Sequence, residues 1–117
     1  SFKTYLEDLS RVGTSLNVVP LVGQGTVRAG VMAFGPGPAN PEQRARMTAA
    51  VARAMDEGAF GLSTGLIYPP GSFTHAEEIA AIARPVGNRG GIYFSHIRGE
   101  ADTLLTAISE AIRIGRD

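Results

Sequence analysis

A parallel α/β sheet covered by helices is the fold class this sequence predicts, and three observations predict it. The strand candidates "LNVVPLVG" (16–23), "AFGLST" (59–64) and "IYFS" (92–95) are apolar runs rather than clean alternations, as covered parallel strands usually are. Segments of helical period stand between and around them, giving the order helix, strand, helix, strand, helix, strand, helix. Successive strand candidates are also separated by more than the dozen residues a parallel crossover requires.

The elements follow in order. Phe2, Tyr5, Leu6, Leu9 and Val12 recur at helical spacing, and Gly13 follows as a stop, so residues 2–12 read as an amphipathic helix. In the first strand, Pro20 has no N–H to donate to a ladder, which pushes that strand to an edge or a bulge. The glycines of "GQGTVR" (23–28) permit a tight turn after it. "VMAFGPGPANPEQ" reads as a turn-rich loop that ends in a helix start. Asn40 would cap, Pro41 would take the first helical position, and Gln43 would complete a capping box. Helix 41–57 follows, with Met47, Val51, Ala54 and Met55 on one face.

After the second strand, "GLIYPPGSF" is a loop. Thr74 and Glu77 have capping-box spacing and open a helix with Ile79, Ile82 and Ala83 inward, which Pro85 and Gly87 should break or kink early. Gly90 and Gly91 lead into the third strand. Leu104, Leu105, Ile108, Ala111 and Ile112 define a last helix that ends near Gly115. Three strand units are too few to close a β/α barrel, which needs eight strands and about 250 residues. A small open sheet and a slice of a barrel both fit.

The 117 residues are enough for a single unit. The 11 basic and 11 acidic side chains balance without long runs of either sign, so nothing predicts a nucleic-acid or membrane partner. With no cysteine, disulfides and thiolate metal sites are excluded, and any metal must rely on His, Asp or Glu. No apolar run approaches the roughly 20 residues needed to cross a bilayer, and no signal peptide opens the chain, so a cytoplasmic location is expected. The chain starts inside a helix and ends without a closing element, so the expectation is a single segment, 1–117, of a longer chain.

Parallel sheets place ligands at the carboxyl ends of their strands. His96 sits one residue past "IYFS", at that end, either as a metal ligand or as an imidazole bonded to a neighbouring carbonyl. In the same loop, Arg98 could clamp a substrate carboxylate or phosphate with Glu100 as its orienter, or the two could form a solvated ion pair. Tyr68, in the loop after the second strand, could line a pocket or pack beneath the loop. His75 reads as a surface residue. Asp102 and Thr103 read as cap and first-turn residues, and Ser63 as a hydroxyl bonded to backbone. "GQGTVR" lacks both the dinucleotide spacing and the Gly-Lys-Ser/Thr of a P-loop, so it is not a nucleotide site.

Taken together, "EGAFGLSTGLIYPPGSF" and "GGIYFSHIRGEADTLLTAISEAIRIGR" resemble the N-acyl-D-amino-acid deacylase (D-aminoacylase) family of the metal-dependent amidohydrolase superfamily. The resemblance runs from about "LNVVPLVGQGTVR" to the end of the chain. It implies a segment of a zinc-bearing β/α (TIM-type) barrel, here with about three parallel strands and four helices. It also implies an activity that hydrolyses the amide of N-acyl-D-amino acids. His96, in "SHIRGE", is then similar to a zinc ligand, and Ile67 and Tyr68 are the residues nearest the substrate, with Arg98 as a further candidate substrate contact. The family's His-x-His pair precedes such a segment, and its next histidine strand and catalytic aspartate follow it. The catalytic residues are therefore expected outside these residues, which alone should be inactive. Two departures stand out: Gln24 takes the place of the family's usual histidine between glycines, and the helix bearing Pro85 and Gly87 is usually uninterrupted.

Two other functions fit the same residues. One is a non-catalytic α/β module that self-associates through exposed strand edges and an apolar helix face. The other is an amidohydrolase acting on cyclic amides or dipeptides.

Overall fold

The computed structural model describes residues 1–117. Its elements are α1 (Phe2–Val12), β1 (Val22–Gly23), α2 (Gln24–Met32), α3 (Pro41–Asp56), β2 (Gly61–Gly65), a 3-10 turn (Gly71–Phe73), α4 (Ala76–Gly87), β3 (Ile92–His96) and α5 (Leu104–Arg116). The three strands are parallel, in the order β1-β2-β3. The expected fold class is borne out, with five α-helices in place of four. Each crossover places its helix on the same side of the sheet. Val22, Leu62 and Tyr93 meet the helices, whereas the alternate residues Ile92, Phe94 and His96 of β3 are exposed.

The additional helix, α2, occupies the stretch read as a turn. No side chain caps it, and Gly25, Thr26, Val27 and Gly30 are weak helix formers. Packing holds it instead: Gln24 and Arg28 are fully buried, and Val27, Val31 and Met32 rest on the main core. β1 is shorter than expected. Only Val22 and Gly23 pair with β2, at the sheet edge, although the Pro20 carbonyl still accepts from the Phe60 amide at 2.9 Å. Leu16, Val18 and Val19 are exposed, because a strand interrupted at Pro20 cannot extend the ladder backwards.

The capping box of α3 forms as read. Gln43 N donates to Asn40 Oδ1 at 2.8 Å, and Asn40 N donates to Gln43 Oε1 at 2.9 Å. Met47, Val51 and Ala54 are buried, and with Val22, Ala59, Leu62, Ile82 and Val86 they form most of the main cluster between sheet and helices. The α4 capping box does not form. His75 holds the cap position without a side-chain bond, and Thr74 Oγ1 is engaged elsewhere. α4 also runs through Pro85 to Gly87: the proline gives up one backbone bond, to the carbonyl four residues back, and its ring is buried.

α5 buries Ala107 and Ile114 rather than the stripe expected. Leu104, Leu105, Ile108 and Ile112 face solvent, so its more apolar face lacks a partner. Thr103 occupies the α5 cap position but makes no side-chain cap bond. α1 buries no residue and reaches the core mainly through Phe2.

Candidate functional site at the carboxyl edge of the sheet

All three strands end on one rim, followed by Gln24 after β1, Leu66 after β2 and Ile97 after β3. His96 is the last residue of β3. Its backbone lies opposite Gly65, and the Leu66 amide donates to the His96 carbonyl at 2.9 Å. Because side chains alternate along a strand, His96 projects on the same bare face as Phe94 and Ile92. Its Nδ1 lies 3.3 Å from the Ile97 carbonyl, and its Nε2 lies 3.3 Å from Glu100 Oε1. The ring is 40 % exposed, open enough to meet a ligand.

Tyr68 flanks it, with ring centroids 5.1 Å apart and planes tilted by 55°. Ile67 beside it is also exposed. Both stand on the loop from β2 to α4, which passes through a cis Pro69–Pro70 bond. That loop folds back on itself at Gly71, where any Cβ would overlap the Gly65 carbonyl, so no other residue fits without moving the loop. Ser72 N donates to the Tyr68 carbonyl at 2.8 Å, and Thr74 N donates to the Gly71 carbonyl at 2.9 Å.

Several contacts that organise the rim escaped the reading of the sequence. Gln24, fully buried, donates from Nε2 to Thr74 Oγ1 at 3.0 Å, while its Oε1 has no protein partner. Arg28 and Glu78 form a buried ion pair at 2.9 Å. Arg28 also donates to the carbonyls of Gly35 and Gly37, and Glu78 Oε2 accepts from the Ala39 amide. The pair ties α2, the following loop and α4 together below the rim. Its members are 50 residues apart, and no local pattern links them.

Arg98 pairs with Glu110 of α5, not with Glu100. Nε lies 2.9 Å from Glu110 Oε2, and Nη1 and Nη2 donate to the carbonyls of Ser72 and Thr74 at 3.0 and 2.7 Å. Glu100 instead faces His96. Ser63 lies in register with Gly23 and Phe94, and its hydroxyl makes no hydrogen bond to protein backbone. His75 is exposed, as expected of a surface residue. The perturbed titrating pair is elsewhere: Arg89 hydrogen-bonds to Asp56 near the opposite rim, lowering the pKa of the Asp56 carboxyl and raising that of its own guanidinium.

No group of three or more His, Cys, Asp or Glu side chains converges to hold a metal ion. A catalytic zinc site takes three protein ligands and an open position. His96 fits one such place. In the tautomer whose Nδ1–H bonds the Ile97 carbonyl, the Nε2 lone pair is left for a cation, as second-sphere contacts commonly arrange for histidine ligands. Glu100 is the nearest carboxylate, and no second imidazole accompanies it.

No family model matches the chain. Its similarity to individual proteins is nevertheless extensive. It is 41 % identical over 118 aligned residues to an N-acyl-D-aspartate deacylase of Alcaligenes xylosoxydans xylosoxydans, covering 100 % of this chain and 24 % of that protein. It superposes with a TM-score of 0.93 on a crystal structure of D-aminoacylase described as defining a novel subset of amidohydrolases, at 37 % identity over 98 % of this chain and 24 % of that one. The same TM-score, at 33 % identity and with 99 % and 24 % covered, relates it to N-acyl-D-glutamate deacylase from Bordetella bronchiseptica complexed with zinc and a phosphonate mimic of the tetrahedral intermediate. The chain thus spans about a quarter of the length of these relatives, and the resemblance carried by its two motifs extends along all of it.

Proposed function

We propose that this chain, homologous along its whole length to one quarter of the D-aminoacylases, forms one wall of the active centre of a metal-dependent hydrolase of N-acyl-D-amino acids. The observation that carries the reading is His96, which stands open at the carboxyl rim with its Nδ1 on a backbone carbonyl and Tyr68 against its ring. The bare sheet face with sequential strand order suits the inner wall of a β/α barrel.

In this reading His96 Nε2 is one ligand of a zinc ion. When bound, zinc would polarise the scissile carbonyl and lower the pKa of a water to about 7. Ile67 and Tyr68 shape the substrate pocket and exclude water from its edge. With Nδ1–H on the Ile97 carbonyl and the Nε2 lone pair on the metal, His96 has no proton left for Glu100, whose carboxylate turns toward the cation. The catalytic carboxylate and the remaining ligands come from segments beyond these residues, so the 117-residue chain alone is inactive and binds zinc weakly.

The test is a matched pair of measurements. In a protein extended to the length of the relatives, His96→Ala should abolish hydrolysis of N-acetyl-D-amino acids together with stoichiometric zinc. Full activity with full zinc content in that variant would refute the assignment.

A second reading, a self-associating module without catalysis, is favoured by one observation. Phe94, Ile92 and Ile112 are exposed around the unpaired edge of β3.

A further inference from the structure

Arg98 leaves the sheet two residues after His96, and its guanidinium turns back across the rim to the loop that carries Tyr68. Nη1 donates to the Ser72 carbonyl at 3.0 Å and Nη2 to the Thr74 carbonyl at 2.7 Å. Nε and Nη2 make a two-pronged pair with Glu110, at 2.9 and 3.0 Å. The group is only partly exposed, at 32 %, against 17 % for Glu110. These contacts use all but one of the N–H groups a guanidinium carries.

The connection from Arg98 to Tyr68 is short. Ser72, whose carbonyl Arg98 holds, donates its own amide to the Tyr68 carbonyl at 2.8 Å. Next to it, Gly71 is wedged against the Gly65 carbonyl, and Gly65 is the register partner of His96. On the far side Gln24 bonds Thr74, whose carbonyl is the second one held by Arg98. The loop is therefore gripped at both ends of its 3-10 turn, and the segment that leads into that turn from β2 presents Tyr68.

We propose that Arg98 is a positioning residue: by holding Ser72 and Thr74 while anchored on Glu110, it sets the Tyr68 ring against His96. The proposal rests on the reading of the rim as a functional site and moves Arg98 from substrate contact to scaffold. Lysine cannot replace it, because an ammonium is a point charge without the planar fork that reaches two carbonyls and a carboxylate together.

The experiment is NMR on the isotope-labelled 117-residue chain. Tyr68→Ala defines the His96 ring-proton shifts that result when the neighbouring aromatic ring is absent. Arg98→Lys should move those shifts toward the Tyr68→Ala values and erase the Tyr68–His96 cross-peaks. Arg89→Lys, which cuts an exposed pair on the other rim, should leave both intact. Should Arg98→Lys not fold, Glu110→Gln serves in its place, with a smaller displacement expected in the same direction. Wild-type shifts and cross-peaks in a folded Arg98→Lys or Glu110→Gln chain would overturn the proposal. Because no metal or substrate is involved, failure of the hydrolase reading would leave this coupling measurable, and failure of the coupling would leave the hydrolase reading standing.

Discussion

Arg28 and Glu78 meet in the interior at 2.9 Å, the guanidinium fully buried and the carboxylate nearly so. Arg28 Nε finds no partner, but the two Gly carbonyls and the Ala39 amide satisfy much of the remaining hydrogen-bonding capacity. Removing one member leaves the other charged and desolvated. Glu78→Ala should therefore cost about 3–5 kcal/mol in urea unfolding. The double replacement Arg28→Met with Glu78→Leu should recover most of that loss, since apolar side chains of similar volume carry no desolvation penalty. Equal destabilisation in the single and double variants would show that the pair is not the source.

Asp56 should shape the acid limb of stability. Its carboxyl pKa is lowered chiefly by the hydrogen bond from Arg89, so its folded-state value lies below the unfolded one. The stabilisation is then present above the unfolded pKa, about 3.9, and is lost as pH falls through the folded value. The Tm difference between wild type and Asp56→Asn should be greatest near neutrality and vanish in strong acid. The effect should be small and should weaken in salt, because the pair is exposed. A difference that grows on acidification would contradict this sign.

Two glycines should respond oppositely to alanine. A Cβ on Gly61 would overlap the Ile92 carbonyl of the adjacent strand, so Gly61→Ala should lower stability by about 1–3 kcal/mol or prevent folding. Gly30, in α2, has nothing within 4 Å of an added Cβ. There Ala should raise stability by about 0.4–1 kcal/mol, through a less disordered unfolded chain and better helix propensity. Thermal melts of both variants decide the matter.

The unpaired edge of β3 and the outward face of α5 form an apolar groove lined by Ile92, Ile97, Ala111 and Ile112. Light scattering on the 117-residue chain should reveal dimers or larger assemblies. Ile112→Glu and Phe94→Lys together should shift them toward monomer. A wild-type chain that stays monomeric at high concentration would exclude association through this edge.

Local chemistry accounts for what the sequence alone determined. The α3 capping box involves residues three apart, so its bonds depend on nothing distant. β2 and β3 overlap the runs 59–64 and 92–95, each preceded by glycine, and the histidine at the end of β3 follows from counting along the strand. Parallel order and the carboxyl-rim position of His96 come from the same alternation of strand and helix. Tertiary structure decided the rest. α2 has poor propensity and exists because Arg28 finds Glu78 and Gln24 finds Thr74, each 50 residues away. Arg98 chose Glu110 over the nearer Glu100 because α5 returns along the rim and brings that carboxylate within reach of the fork. Tyr68 stands against His96 while much of its ring stays exposed, because the loop is held at Gly71, Ser72 and Thr74 by Gly65, Arg98 and Gln24. Such contacts depend on where the chain returns in space, which periodicity and spacing do not encode.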